Sequence, residues 1–327
     1  MKKKIIFIVG PTAVGKTAVA VNLAKIIDAE IISCDSMQVY KGMDIITSKP
    51  NALLIKRIPH HLINMVCPSK DFDVARYRKA SVSCIDTILK KAKVPLFVGG
   101  TGLYVSVLID GIFTGSPEDA LVRQRLYKEK EAYGSAKLYR RLQRVDPIAA
   151  NKIHPNDIRR IVRALEVFEV SGRPISQLQA KRRGLSEKYD IRIFCLTMQR
   201  EALYERINQR VEKMFTQGLV AEVKRLCTLK LSKTAQYAIG IREIMEYSDG
   251  RLSLEEAKEL IKRNTRRYAK RQLTWFRKDK RIQWLEVGAQ ETPTHIAKRI
   301  ETLSDSIGKL YPVHARKCTR QQAPDSK

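Results

Sequence analysis

Cysteine is sparse in this chain. Its six residues, Cys34, Cys67, Cys84, Cys195, Cys227 and Cys318, are scattered, with no C-x-x-C pair and no Cys/His cluster at zinc spacing. That excludes a disulfide scaffold or zinc module and predicts reduced thiols packed as small hydrophobes in a cytoplasmic protein. Long apolar runs are also missing. The run after Met1-Lys-Lys-Lys spans only Ile5 to Val9, too short for a signal h-region, and nothing reaches transmembrane length, so no membrane role is expected. Internal repeats are absent. Acidic residues are in short supply, 34 against 62 Lys and Arg, for a net charge of +28. Solubility needs far less, so the excess predicts a polyanionic partner, with a merely basic cytosolic enzyme as the alternative.

What is present is organised around an eight-residue stretch: Gly10, Pro11, Thr12, Ala13, Val14, Gly15, Lys16 and Thr17. Before it, Lys4 to Val9 is a continuous β-branched apolar run of the kind found in buried parallel strands. After it, Ala20, Leu23, Ala24 and Ile27 keep helical spacing. Strand, glycine loop and helix together are the context that G-x-x-x-x-G-K-[ST] requires. The loop amides and helix N-terminus would cradle a phosphate, Lys16 would add a cation, and the Thr17 hydroxyl would hold Mg²⁺. An ordinary glycine-rich turn is the bland alternative. Whether the group is a diphosphate or the triphosphate of a nucleotide such as ATP, the loop alone leaves open.

Further strands are expected at Glu30–Cys34, Val94–Val98, Asp190–Leu196 and Ile282–Leu285, with helices over Val74–Lys91, Glu201–Met214 and Ser253–Arg277. The carboxyl end of the second strand delivers Asp35, Ser36, Met37 and Gln38, and that of the third delivers Gly99, Gly100, Thr101 and Gly102. Ligands in open α/β sheets sit at such ends, which favours a functional role for both; the alternatives are that Asp35 only closes a turn and Thr101 only caps a helix. His60 and His61 are adjacent, cannot share a helix face, and suit polar packing or a substrate contact better than a metal. From Ala120 to about Lys181 the pattern is helical only, with Ile158, Ile161, Val162, Leu165 and Phe168 as one stripe and Arg159, Arg160 and Arg163 off it. Arg206 and Arg210 share a helix face and could clamp a transferred group or simply face solvent. From Lys262 to Arg281 there are ten basic residues and one acid, with Tyr268, Trp275 and Phe276 interleaved. This suits phosphate contact plus base stacking, or a basic face with its aromatics turned inward. The expected fold class is α/β: a P-loop NTPase-like parallel sheet with helices on both faces, plus an all-helical insertion. Its core would be 1–115 and 186–310, the insertion 116–185, and a basic disordered tail 311–327.

Two function classes survive this reading: transfer from a phosphorylated small molecule to a nucleic acid, and a nucleoside or nucleotide kinase. Non-catalytic RNA binding is weaker, since the cradle is intact. A kinase needs a second strand-end carboxylate and a base, and only Asp35 presents itself.

The chain resembles the bacterial tRNA dimethylallyltransferases. The resemblance rests on the phosphate loop, Asp35-Ser-Met-Gln-Val-Tyr-Lys-Gly-Met-Asp44, Pro59-His-His-Leu62, Val98-Gly-Gly-Thr-Gly-Leu-Tyr104, Asp146-Pro-Ile-Ala-Ala with Ile153-His-Pro-Asn-Asp157, and Arg271-Gln-Leu-Thr-Trp-Phe-Arg277. It implies a monomeric enzyme whose loop holds the diphosphate of dimethylallyl diphosphate with Mg²⁺. The prenyl group would pass to the exocyclic amine of the adenosine 3′ of the anticodon, in tRNAs reading U-initial codons. Asp35 would be the base, with Thr101 near the target adenosine and Arg210 on the leaving group. The tRNA contacts would be Asp35 to Gln38, Thr101, Arg123 and the stretch Arg159, Arg160, Ile161, Val162 and Arg163, with the anticodon stem-loop as the bound part. Ile46, Ser48 and Ile241 depart from the family pattern, which more often has Gly, Ala and an aromatic there.

Overall fold

The computed structural model describes residues 2–113 and 118–305. Residues 1, 114–117 and 306–327 lie outside that range, and with them the junction expected between core and insertion, the end of the expected core and the expected basic tail.

Among the described residues six parallel strands make one sheet: β1 (Lys4–Val9), β2 (Ala29–Ser33), β3 (His60–His61), β4 (Val94–Gly99), β5 (Asp190–Thr197) and β6 (Gln283–Glu286). Their spatial order is β3-β2-β4-β1-β5-β6, so the strand feeding the phosphate loop is central. The strand runs do not alternate in polarity because both faces are covered. Successive side chains instead sort into two cores. Ile5, Phe7, Val9, Phe97, Ile193 and Cys195 enter one, and Ile6, Ile8, Leu96, Val98, Phe194 and Leu196 enter the other. Phe7 stacks on Phe97 across β1 and β4, with ring centroids 4.6 Å apart.

After α1 (Lys16–Ile26) and α2 (Ala52–Arg57), the helices of the first core face include α3 (Val74–Lys90) and α4 (Gly102–Asp110). Among the described residues five helices follow without a strand: α5 (Ala120–Tyr133), α6 (Ser135–Val145), α7 (Pro147–Ala150), α8 (Ile158–Ser171) and α9 (Ile175–Ala180). They enclose a third cluster that includes Leu126, Leu138, Leu142, Ile161, Val162 and Leu165. After β5 come α10 (Arg200–Thr216), α11 (Leu219–Cys227), α12 (Ile241–Ser248) and the 23-residue α13 (Leu254–Phe276), then α14 (Pro293–Asp305) after β6. Ser253 caps α13, with Glu256 reaching back to its N–H.

Two details differ from the sequence reading. His60 and His61 form a short edge strand pairing with Ile31 and Ile32, too brief to leave a periodic signal. Phe276 is 2% exposed and belongs to the core, so it offers no face to a base. The inward alternative holds for this ring because it sits on the sheet side of α13, whereas Trp275 stays 41% exposed.

Candidate active site

The phosphate loop turns between β1 and α1. Gly10, at φ +141°, has no room for a side chain, since a Cβ would stand 2.5 Å from the Leu196 carbonyl oxygen on β5. Ala13 takes φ +66°, a left-handed conformation that a non-glycine residue holds only under constraint. The Lys16 ammonium folds back on the loop, donating to the carbonyls of Gly10 at 3.0 Å and Pro11 at 2.7 Å. Burial, with Arg210 adding repulsion, pulls its pKa down to about 8; Asp35 works in the opposite direction.

The other two strand-end loops are stitched to each other. The Thr101 N–H donates to the Cys34 carbonyl at 3.2 Å. The Thr101 hydroxyl oxygen in turn accepts from the Ser36 N–H at 3.0 Å. One Asp35 carboxylate oxygen accepts from the Met37 N–H at 2.9 Å, closing the turn expected for an aspartate there. Where β4 ends, a Cβ on Gly99 would meet the Cys34 carbonyl oxygen at 2.1 Å, so only glycine admits this approach.

Helix α13 locks both glycine loops from above. The Gln272 side chain, 5% exposed, accepts from the Thr12 N–H at 2.8 Å. Its amide group also donates to the Gly100 carbonyl at 3.0 Å. One turn on, the Trp275 indole lies over Gly102, whose Cβ would stand 2.3 Å from the ring. The indole N–H donates to the Ser106 hydroxyl at 3.3 Å. Gln272 lies within the Arg271–Arg277 motif, which by itself gives this residue no role. Its partners lie 260 and 172 residues away, and no local pattern announces them.

Two cavities meet at these loops. One, of about 500 Å³, is lined by Thr12, Lys16, Thr17, Gln38, Arg206 and His60 among others. The second, of about 390 Å³, has a more apolar wall that includes Met37, Ile46, Val211, Met214 and Ile261. Thr12, Asp35, Thr47, Arg210 and Tyr268 line both. Burial lowers the Arg210 pKa while Asp35 raises it, and burial with Asp35 nearby raises the Tyr268 phenol. A carboxylate and a guanidinium therefore face each other electrostatically where the two spaces join.

Of the remaining sequence candidates, Ser36 and Met37 line the second cavity and Gln38 the first. The basic insertion residues lie elsewhere, on α5 and α8. Arg123 and Arg163 bind the buried Glu166 at 2.9 and 3.0 Å. Ile161 and Val162 are 0% and 1% exposed, so their side chains pack inside the insertion while Arg159 and Arg160 face outward. Among the described residues no group of three or more His, Cys, Asp or Glu could hold a metal ion by itself. The Thr17 hydroxyl on the phosphate cavity suits Mg²⁺ nonetheless, because Mg²⁺ binds through few protein oxygens and keeps water and substrate phosphates. No described helix is long and apolar enough to cross a membrane.

A central parallel sheet, a phosphate loop after β1 and a carboxylate just past β2, two strands away across β4, define a phosphate-loop enzyme of the P-loop NTPase-like class. Comparison with known proteins narrows the class. A family model described as IPP transferase matches residues 38–279, and one described as isopentenyl transferase matches residues 3–58. The tRNA dimethylallyltransferase of Carboxydothermus hydrogenoformans is 47% identical over 304 residues, covering 92% of this chain and 97% of that protein. That of Geobacter sulfurreducens is also 47% identical, covering 88% and 93%. Among solved structures, the tRNA isopentenylpyrophosphate transferase of Bacillus halodurans aligns with TM-score 0.68 at 40% identity, over 93% of this chain and 97% of that one. A eukaryotic dimethylallyltransferase acting on tRNA aligns with TM-score 0.78 at 31% identity, over 92% and 78%. The chain belongs to the IPP transferase family.

Proposed function

We propose that this protein is a tRNA prenyl transferase. It moves the dimethylallyl group of dimethylallyl diphosphate to the N6 amine of the adenosine 3′ of the anticodon, in tRNAs reading U-initial codons. The observation that carries the reading is the pair of cavities joined at Asp35, Arg210 and Tyr268. One has the phosphate loop in its wall and the other a largely apolar wall open to a base. On this reading the diphosphate lies against the loop amides, Lys16 and Thr17. The adenine, extruded from the anticodon loop, enters from the apolar side.

An exocyclic amine conjugated with a purine is a poor nucleophile. As the new C–N bond forms at the allylic carbon and the C–O bond to diphosphate breaks, the amine must lose a proton, and the Asp35 carboxylate is the acceptor this reading assigns. Thr101 orients the loop that carries Asp35, through the Ser36 N–H. Negative charge gathers on the leaving diphosphate, where Lys16, Arg206 and Arg210 stabilise it. Mg²⁺, held by Thr17 and the diphosphate itself, would supply further charge neutralisation. Arg159, Arg160 and the basic face of α13 would contact the anticodon stem-loop, with Arg123 and Arg163 shaping the insertion beneath them. As the family resemblance implies, the protein would act as a monomer in the cytoplasm.

The test supplies anticodon stem-loop RNA with either carbon-labelled dimethylallyl diphosphate or γ-labelled ATP. Prenyl label on the RNA, largely lost in Asp35→Asn with RNA binding retained, is the expected result. Phosphate label instead of prenyl label would favour a kinase, and label from neither would leave only binding.

A further inference from the structure

Glu222, on α11, is 4% exposed and lies outside both cavities. Its carboxylate accepts three consecutive backbone N–H groups. Asp44 and Ile45 donate to one oxygen at 3.0 and 2.9 Å, and Ile46 donates to the other at 2.9 Å. The segment so held runs directly into the wall shared by the two cavities: Ile46 lines the apolar one, Thr47 lines both and Ser48 the phosphate one. The wall is tied at its far end as well. Lys49 donates to Asp44 at 2.9 Å and to the Tyr40 carbonyl, and Gln38 reaches the Thr47 carbonyl at 3.3 Å. Ser48 holds φ +46°, a left-handed conformation that a free loop would leave. Ile46 is 7% exposed and packs against Gly240, where a Cβ would stand 3.3 Å from its terminal carbon.

Burying a carboxylate costs free energy that only well-aimed donors recover. Two anionic oxygens can take three N–H groups at once. An amide of the same shape offers a single acceptor and turns its own NH₂ toward a backbone donor. We propose that Glu222 is a positioning residue for prenyl transfer. It fixes the Asp44–Ile46 backbone, and through it the Ile46–Thr47 wall against which the allylic carbon and the acceptor amine are brought into line. Helix α11 follows directly on α10, which bears Arg206 and Arg210, so the same carboxylate sets the distance between the arginine side of the site and the opposite wall. The inference rests on the prenyl-transfer reading above.

The experiment measures the single-turnover transfer rate at saturating dimethylallyl diphosphate and anticodon stem-loop RNA, with the Kd of each, for the full chain and for Glu222→Gln, Glu222→Asp and Lys49→Met. Misplacement by an ångström can cost about a hundredfold in rate. Glu222→Gln is therefore expected to lose roughly 10- to 100-fold in rate while both Kd values stay within about threefold. Glu222→Asp, charged but shorter, should recover part of the loss. Lys49→Met loosens the same wall from its other end, should repeat the signature, and carries the test if Glu222→Gln does not fold. A rate within threefold of the parent in the folded variants would overturn the proposal, as would a rate loss matched by equal weakening of both Kd values. Absence of transfer by the parent chain would instead overturn the function reading, and this proposal with it.

Discussion

Replacing Gln272 with leucine tests how the two glycine loops are held together. The side chain is buried, accepts from the Thr12 N–H at 2.8 Å and donates to the Gly100 carbonyl at 3.0 Å. Leucine fills nearly the same space but leaves a backbone donor and a backbone acceptor without partners. Each stranded group costs about 1–3 kcal/mol, so the expected loss of unfolding free energy is about 2–6 kcal/mol, less what water reaching the cavity side restores. On the proposed reading the consequence should extend to donor binding, because the Thr12 amide then no longer fixes the loop assigned to the diphosphate. Gln272→Glu separates the two bonds. It keeps an acceptor for Thr12 but sets an anionic oxygen against the Gly100 carbonyl, next to where a diphosphate would lie. Its donor affinity should therefore fall more than its stability. Urea unfolding followed by tryptophan fluorescence suits the measurement, since Trp275 and Trp284 are the only two tryptophans and Trp275 lies one turn from the substitution. An unfolding free energy for Gln272→Leu within about 0.5 kcal/mol of the parent, the range of inert surface changes, would show that the clamp holds nothing.

Lys16 titrates at about 8 in the free protein, so its cation is present below that pH and lost above it. Calorimetric titration with inorganic diphosphate should show affinity falling about tenfold between roughly pH 7 and 9, a step that Lys16→Met removes; a flat profile refutes the assignment. Gly99→Ala would drive a methyl carbon to 2.1 Å from the Cys34 carbonyl, so β4 and β2 must separate. A thermal midpoint equal to the parent's would contradict the packing there. For Glu166, burial raises the pKa, but hydrogen bonds from Arg123 and Arg163 outweigh it and the net shift is downward. Its contribution to stability is thus complete above the ordinary value of 4.5 and lost as pH falls below it. Glu166→Gln should lower the unfolding midpoint at neutral pH and flatten its acid decline.

Strands β1 and β4 were legible because each carries a short apolar run without alternation, too short for a helix and followed by glycines, as a strand covered on both faces requires. The phosphate loop was legible because its spacing, its strand and its helix coincide in one local stretch. Asp35 and Thr101 could be placed by the rule that strand ends face the ligand, and the hydrogen bond between Thr101 and Ser36 joins the two ends so predicted. Other parts had no local signature. Gln272 and Glu222 act on backbone groups 260 and 176 residues away, so nothing near them in sequence marks their roles. Strand β3 is two residues long and exists because β2 offers it an edge. Phe276 lies beside arginines and lysines in sequence, but helical phase turns it inward while Trp275, one residue earlier, stays at the surface.

The same phase argument divides the positive charge, which composition reports only as a sum. In the insertion, Arg123 and Arg163 are bound to Glu166, while Arg125 and Arg141 are bound to Glu169, side chains that hold α5, α6 and α8 together. Arginines engaged in this way have little freedom to neutralise phosphate. On α13 the exposed Arg263, Arg267, Lys270 and Arg271 lie along the helix that also clamps the glycine loops, and Arg271 lines the apolar cavity. Counterion release then gives opposite expectations for the two groups. For anticodon stem-loop binding, Arg267→Gln and Lys270→Gln should each reduce the slope of log K against log salt by about 1 while leaving unfolding unchanged. Arg123→Gln should lower the stability of the insertion and leave that slope where it was. Should Arg123→Gln flatten the salt dependence as much as Arg267→Gln does, its bond to Glu166 would have to open on RNA binding. The division between cations that build the protein and cations that meet the RNA would then be wrong for that residue.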